Sequence, residues 1–111
     1  MAMADESQIE IPPSFLALYL PPGRVKPTAP RAEIAQRYEF CEDLAQLLTD
    51  TARTMQFDLG ITELDVLERV QRGLHAPGGQ VNADEALWVA RRLAELLGWP
   101  EDPAWPPVPR R

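Results

Sequence analysis

The chain has 111 residues, enough for one domain that buries about two-thirds of its unfolded surface, and its 45% hydrophobic and 25% charged residues predict a soluble globular protein rather than a disordered one. A net charge of −6, concentrated in residues 31–99 with twelve acids against seven arginines, repels phosphate and argues against nucleic acid or anionic membranes as partners. The longest strongly apolar run, Phe15 to Leu20, is too short for a bilayer span and follows no basic leader, and one cysteine makes no internal disulfide, so the expected location is the cytoplasm.

Proline divides the chain into three parts. Six of the twelve prolines lie in residues 1–30, five lie in 100–111, and Pro77 alone falls between. Because proline lacks an amide donor and clashes with the preceding turn, the middle is free to be helical and the flanks are not. Residues 1–30 therefore read as an N-terminal arm, 31–99 as a helical domain and 100–111 as a proline-rich tail. Within the arm, Ser14 could cap one short helix through Phe15-Leu16-Ala17-Leu18-Tyr19-Leu20, bounded by Pro12-Pro13 and Pro21-Pro22. The brief alternation Ile9-Glu10-Ile11 offers at best a short edge strand.

The first long helix is predicted from Arg31 to Leu59, with Gly60 at its left-handed end. Ile34, Tyr38, Cys41, Ala45, Leu48, Ala52 and Met55 form one apolar stripe, widened by Leu44, Leu47 and Thr51. Glu33 with Arg37, and Asp50 with Arg53, have the spacing of surface ion pairs, and a break near Phe57 would fit the pattern. A second helix starts at the cap-like run Thr62-Glu63-Leu64-Asp65, with Ile61 placed to pack on Val66. Its buried face is Leu64, Leu67, Val70 and Leu74, and Gly73-Leu74 reads as its Schellman-type end. Residues 75–81 are loop by composition. Asn82 and Glu85 then signal a third helix with an apolar face at Ala86, Ala90, Leu93 and Leu97, ending near Gly98.

The expected fold is thus all-α, a small three-helix domain with one long helix. At 1.5 Å per residue the long helix measures about 43 Å, while the other two reach about 18 and 23 Å. The short helices leave about half of the stripe uncovered. The arm, a bend in the long helix, or the same stripe of a second chain in a homodimer could cover the rest.

Little here supports catalysis. His75, the only histidine, sits beside a helix-ending glycine and reads as solvated. Cys41 lies in the apolar stripe and reads as a buried, inert thiol. One cysteine and one histidine cannot build the usual zinc sites. Glu39, Glu42 and Asp43 read as a solvated helix face, and Asp84 with Glu85 as acids favoured by a helix N-terminus. Gly78-Gly79 lacks the lysine and hydroxyl residue of a phosphate-binding loop. The sequence therefore predicts no enzyme activity, no cofactor and no metal.

Two binding motifs remain. Residues 57–72 form a helix-turn-helix-like corner, which makes a DNA-binding regulator the alternative function. The would-be recognition helix opens on Glu63 and Asp65 and includes Glu68, which opposes approach to phosphate. In the tail, Pro106-Pro107-Val108-Pro109-Arg110-Arg111 fits the P-x-x-P-x-R pattern read by SH3-type grooves. A tail folded back with Trp99 and Trp105 covering the bundle is the stronger reading.

The runs Ile11-Pro12-Pro13-Ser14-Phe15-Leu16-Ala17-Leu18-Tyr19, Pro22-Gly23-Arg24-Val25-Lys26-Pro27, Arg37-Tyr38-Glu39-Phe40-Cys41-Glu42-Asp43-Leu44, Phe57-Asp58-Leu59-Gly60-Ile61-Thr62-Glu63 and Leu96-Leu97-Gly98-Trp99 resemble a small bacterial family of uncharacterised proteins. The resemblance covers about residues 9–99, and members are sometimes labelled ATPase with chaperone activity. It implies at most an association with chaperone machinery, since the chain has neither a P-loop nor the length of an ATPase module. No catalytic residue carries over. The expectation is a cytoplasmic protein–protein interaction or adaptor protein whose contact residues are Phe15, Tyr19, Arg24, Lys26, Trp99 and Trp105.

Overall fold

The structure, a computed structural model, describes residues 10–100. Four helices follow one another: α1, Pro13–Leu16, continued by a single 3-10 turn at Ala17–Tyr19; α2, Arg31–Leu59; α3, Glu63–Leu74; and α4, Ala83–Leu97. Among the described residues there is no strand, and the all-α expectation holds. The tail beyond Pro100, with Trp105 and the P-x-x-P-x-R run, lies outside the described residues.

The helix ends follow from local chemistry. α2 starts directly after Pro30 and runs unbroken through Phe57 to Gly60, whose φ of 63° is left-handed. The Thr62 side chain accepts the Asp65 amide at 3.1 Å and caps α3. Asn82 and Glu85 form a complete capping box on α4: Asn82 Oδ1 accepts the Glu85 amide at 2.8 Å, and Glu85 Oε1 accepts the Asn82 amide at 3.1 Å. α4 ends in a Schellman motif, with Gly98 at φ 71°, its amide on Glu95 O and the Trp99 amide on Ala94 O. The expected Schellman end of α3 is not there. Gly73 stays helical, the helix runs on to Leu74, and His75 caps it with φ −108°.

The three long helices pack as a bundle in which α2 and α4 run in the same direction. Two cross-links show the register, Arg37 to Glu85 and Glu42 to Arg92, climbing both helices together. α3 returns between them and packs mainly on α4. The uncovered half of the α2 stripe is closed by the arm. One core cluster joins Phe15 to Ile34, Cys41, Ala45, Val81, Ala86, Trp88 and Val89. The other joins Ala52 to Val66, Leu67, Val70, Ala90 and Leu93. So the arm covers the N-terminal half of α2, α3 covers the C-terminal half, and α4 spans both. The stripe needs neither a bend nor a second copy to be buried.

Three further local expectations fail, each for a packing reason. Leu47 is 75% exposed and Thr51 is exposed, because the arm and α3 cover a stripe narrower than the apolar pattern. Arg37 does not pair with Glu33; it turns inward to Glu85. Ser14 does not cap α1, which starts after Pro12 without a side-chain cap. Instead its hydroxyl accepts the Trp88 indole N–H at 2.9 Å.

Candidate functional site

The arm is held by aromatic rings and one buried carboxylate. Phe15 is fully buried, and its ring meets Trp88 at 5.1 Å, Tyr38 at 5.7 Å and Tyr19 at 5.8 Å between centroids. The contacts to Trp88 and Tyr38 are edge-on, the arrangement that the ring quadrupole favours. Beside this cluster lies Glu85, 3% exposed. It accepts a two-point fork from Arg37, Nε at 2.9 Å and Nη2 at 2.8 Å, and the Tyr19 hydroxyl at 3.2 Å. Arg37 also donates to the Gln80 carbonyl at 2.9 Å and lies over the Phe40 ring. One carboxylate therefore ties together the arm, α2, the loop before α4 and the α4 cap.

The electrostatics follow from this packing. Burial by itself would raise the pKa of Glu85, but the Arg37 fork, the Asn82 amide and the Tyr19 hydroxyl reverse that and hold it below the ordinary carboxylate value. Burial, then the Glu85 charge, pushes Tyr19 up to about 12. Arg37 is raised further above its already high value by its bond to Glu85. Farther along, Arg92 grips Glu42 at 2.8 and 3.0 Å and reaches Glu95 at 3.0 Å. Glu42 is lowered by that contact. In each pair the carboxylate charge is neutralised by a guanidinium.

Cys41 is a free thiol with no exposed surface, pushed up to about 12 by burial. His75 is exposed at the end of α3. Among the described residues no group of three or more His, Cys, Asp or Glu side chains could hold a metal ion. No helix there is long and apolar enough to cross a membrane.

On the outer side of α4 a groove of about 790 Å³ remains. The arm contributes Ser14 and Leu18; α3 contributes Glu63, Leu64 and Leu67; α4 contributes a stripe from Asp84 through Leu87, Trp88 and Arg91 to Glu95, and the chain leaves the groove at Trp99 and Pro100. Its floor is apolar and its rim carries charges of both signs. The stripe exists because α4 buries one side against α2 while Leu87 and Ala94, on its flank, pack only partly against the second core cluster.

The sequence-predicted contact residues are not brought to one place. Phe15 has no exposed surface and sits in the first core cluster. Tyr19 is half-buried, with its hydroxyl committed to Glu85. Arg24 and Lys26 are exposed on the arm loop beside Val25, which is 92% exposed. Trp99 is half-buried, packs on the second core cluster and lines the groove. Trp105 lies outside the described residues. Sequence reasoning missed Trp88, Arg37 with Glu85, and the groove itself. Trp88 had a usable signal, since it stands beside Val89 on the apolar side of α4. The Arg37–Glu85 link had none, because its partners are far apart in the chain. The corner at residues 57–72 is formed, with Arg69 and Arg72 exposed and the acids Glu63 and Asp65 in the first turn of α3.

No protein-family model, curated protein or solved structure matches the chain.

Proposed function

We propose that this chain is a non-enzymatic interaction protein whose α4 groove receives a short apolar segment of a protein partner. The observation that carries the reading is the groove's makeup: Leu18, Leu64, Leu67, Leu87, Trp88 and Trp99 converge from three elements within about 790 Å³. That volume falls in the range of about 300–1,000 Å³ typical of ligand sites, where an apolar lining supplies affinity and a few polar groups fix orientation. Rim charges of both signs suit a segment carrying both signs. The two ion pairs at Glu85 and Glu42 and the burial of Cys41 support a reading without chemistry. A chaperone-linked adaptor, as the sequence resemblance implies, is one version, in which the partner is an ATPase or its client. DNA binding is less well supported, since acids open α3; a gel shift at low salt is expected to show no complex.

A photo-cross-linking residue at Leu87 tests the reading in the native host. The expected result is one discrete adduct that is absent when the cross-linker replaces Leu47, an exposed residue on α2. Equal patterns at the two positions, with both variants folded, refute it.

A further inference from the structure

The α4 wall of the groove is built from Asp84, Leu87, Trp88, Arg91, Ala94 and Glu95. These positions recur at three and four residues, one face of a helix, and extend about 17 Å along its axis. The facing wall is the first half of α3, with Leu64 and Leu67. Helices satisfy their backbone amides and carbonyls internally and offer an extended strand no ladder to join, so an occupant gains its affinity from side chains. A helix laid along α4 presents apolar side chains at the same three- and four-residue spacing, and about three turns of it fill the length.

The charges along the groove fall in a definite order. Residues 75–82 turn the chain so that α3 runs against α4, which sets Glu63, at the start of α3, beside the last turn of α4. Arg92 is spent on Glu42 and Glu95, so Glu63 is the acid left over at that end. Asp84, in the first turn of α4, makes the other end acidic. Arg91 stands between them, about 10 Å along the axis from Asp84. Glu63, Asp84 and Arg91 make no ion pair among the described residues. A complementary helix is therefore basic at both ends and acidic between. A second copy does not supply one from its exposed helix faces. The face of α2 around Leu47 carries the exposed acids Asp43, Asp50 and Asp58, which would meet the acids of the groove. α3 opens on acids and carries Arg69 and Arg72 toward its other end.

We propose that the occupant of the groove is an amphipathic helix of about three turns from a different protein, apolar toward α3 and α4, with a basic residue near each end and an acid between them. The proposal rests on the groove being the interaction site and names what the partner brings to it. The apolar face supplies most of the affinity, while the order of the charges selects among helices of similar hydrophobicity and fixes their register.

The test uses the full chain and a stapled synthetic helix of about twelve residues, with leucines on one face, a lysine at each end and a glutamate in the middle. Its twin exchanges the signs of the charges, and a third peptide, unstapled, carries a proline beside the glutamate. Titrations are followed at the amides of Leu64, Leu87 and Trp88, with Leu47 as reference. The first peptide is expected to bind about tenfold more tightly than either of the others, with shifts confined to the groove and a preference over the twin that shrinks in high salt. Arg91→Glu, at an exposed position outside both core clusters, is expected to weaken the first peptide severalfold, and lysine in place of the central glutamate should restore the binding. Equal binding of the twin or of the proline peptide overturns the proposal, as does binding by none of them. Self-association of the chain that the first peptide displaces overturns it too, by giving the groove to a second copy. If the peptides fail while the Leu87 adduct persists, only the partner's chemistry falls; loss of the adduct removes the groove reading itself.

Discussion

Phe15→Ala measures how much of the core the arm supplies. The ring has no exposed surface and three aromatic neighbours within 5.8 Å. Removing a fully buried phenyl group costs about 3–5 kcal/mol, and the value depends on whether the site can collapse. Two ties hold the site open: Ser14 accepts the Trp88 indole, and Tyr19 donates to Glu85. If both survive, the cavity persists and the loss is about 4 kcal/mol, a large share of the 5–15 kcal/mol typical of a whole domain. At about 4–8 °C per kcal/mol for a chain of this size, the melting temperature drops by roughly 16–32 °C. If the ties break, the arm lifts off, and the loss is capped at the free energy of docking it. Urea denaturation gives the magnitude, and amide exchange of residues 15–20 separates the two cases, since a lifted arm loses protection before the bundle does. A loss below about 1 kcal/mol with unchanged exchange would refute a load shared between arm and bundle.

Further outcomes concern the ion pairs, the pH limits of stability, the thiol and the end of α4. A double-mutant cycle on Arg37→Met and Glu85→Gln should give a coupling of about 1–2 kcal/mol, below the usual figure for a fully buried pair because the Arg37 side chain is 33% exposed. Both Glu42 and Glu85 have folded-state pKa values below the ordinary one, so their contribution is complete above about pH 4.3 and fades as pH falls through the lowered values. Urea midpoints followed down in pH should show this acid limb, and Glu85→Gln should flatten it. At the alkaline end Cys41 and Tyr19, both pushed up to about 12, favour folding fully below their ordinary values of 9.0 and 10.0 and lose that contribution as pH rises toward 12. Correspondingly, Cys41 should resist a thiol reagent in the folded chain and react on unfolding; rapid labelling without denaturant would contradict its burial. Gly98→Ala should cost about 1–2 kcal/mol by forcing a side chain into the left-handed region, read as a lowered urea midpoint.

The parts of this fold that sequence makes visible are those decided by neighbours in the chain. Pro30 and Gly60 bound α2 at Arg31 and Leu59, and Asn82 with Glu85 starts α4, because caps and prolines act over one turn. The mismatch between the long helix and its short partners was also legible, being a matter of length. What closed it was not, since whether Phe15 turns inward depends on the space left beside Ile34, Cys41 and Trp88. Gly73 shows the same limit at short range: a glycine followed by leucine looks like a helix end, yet the last turn of α3 retains it because Leu74 packs on the core. Glu85 shows the limit for charge. Its local role as a capping residue was correct, but its burial and its pairing with Arg37 arise only when α2 and α4 run side by side.

Trp88 connects stability to the proposed site. It is 8% exposed and stacks edge-on against Phe15 and Tyr38, while it also lines the groove and bonds to Ser14 across the groove wall. The arm is shared in the same way: Phe15 enters the core, whereas Ser14 and Leu18, on either side of it in the chain, face the groove. An arm that detaches therefore removes one wall and frees the indole that forms part of the floor. Two arrangements of one short segment would be enough to open or dismantle the site, without movement of α2, α3 or α4. It follows that Phe15→Ala, at a residue that does not itself line the groove, should weaken capture at Leu87 only under conditions where the arm amides also lose protection. Loss of capture with a fully protected arm would separate the two and break the connection argued here.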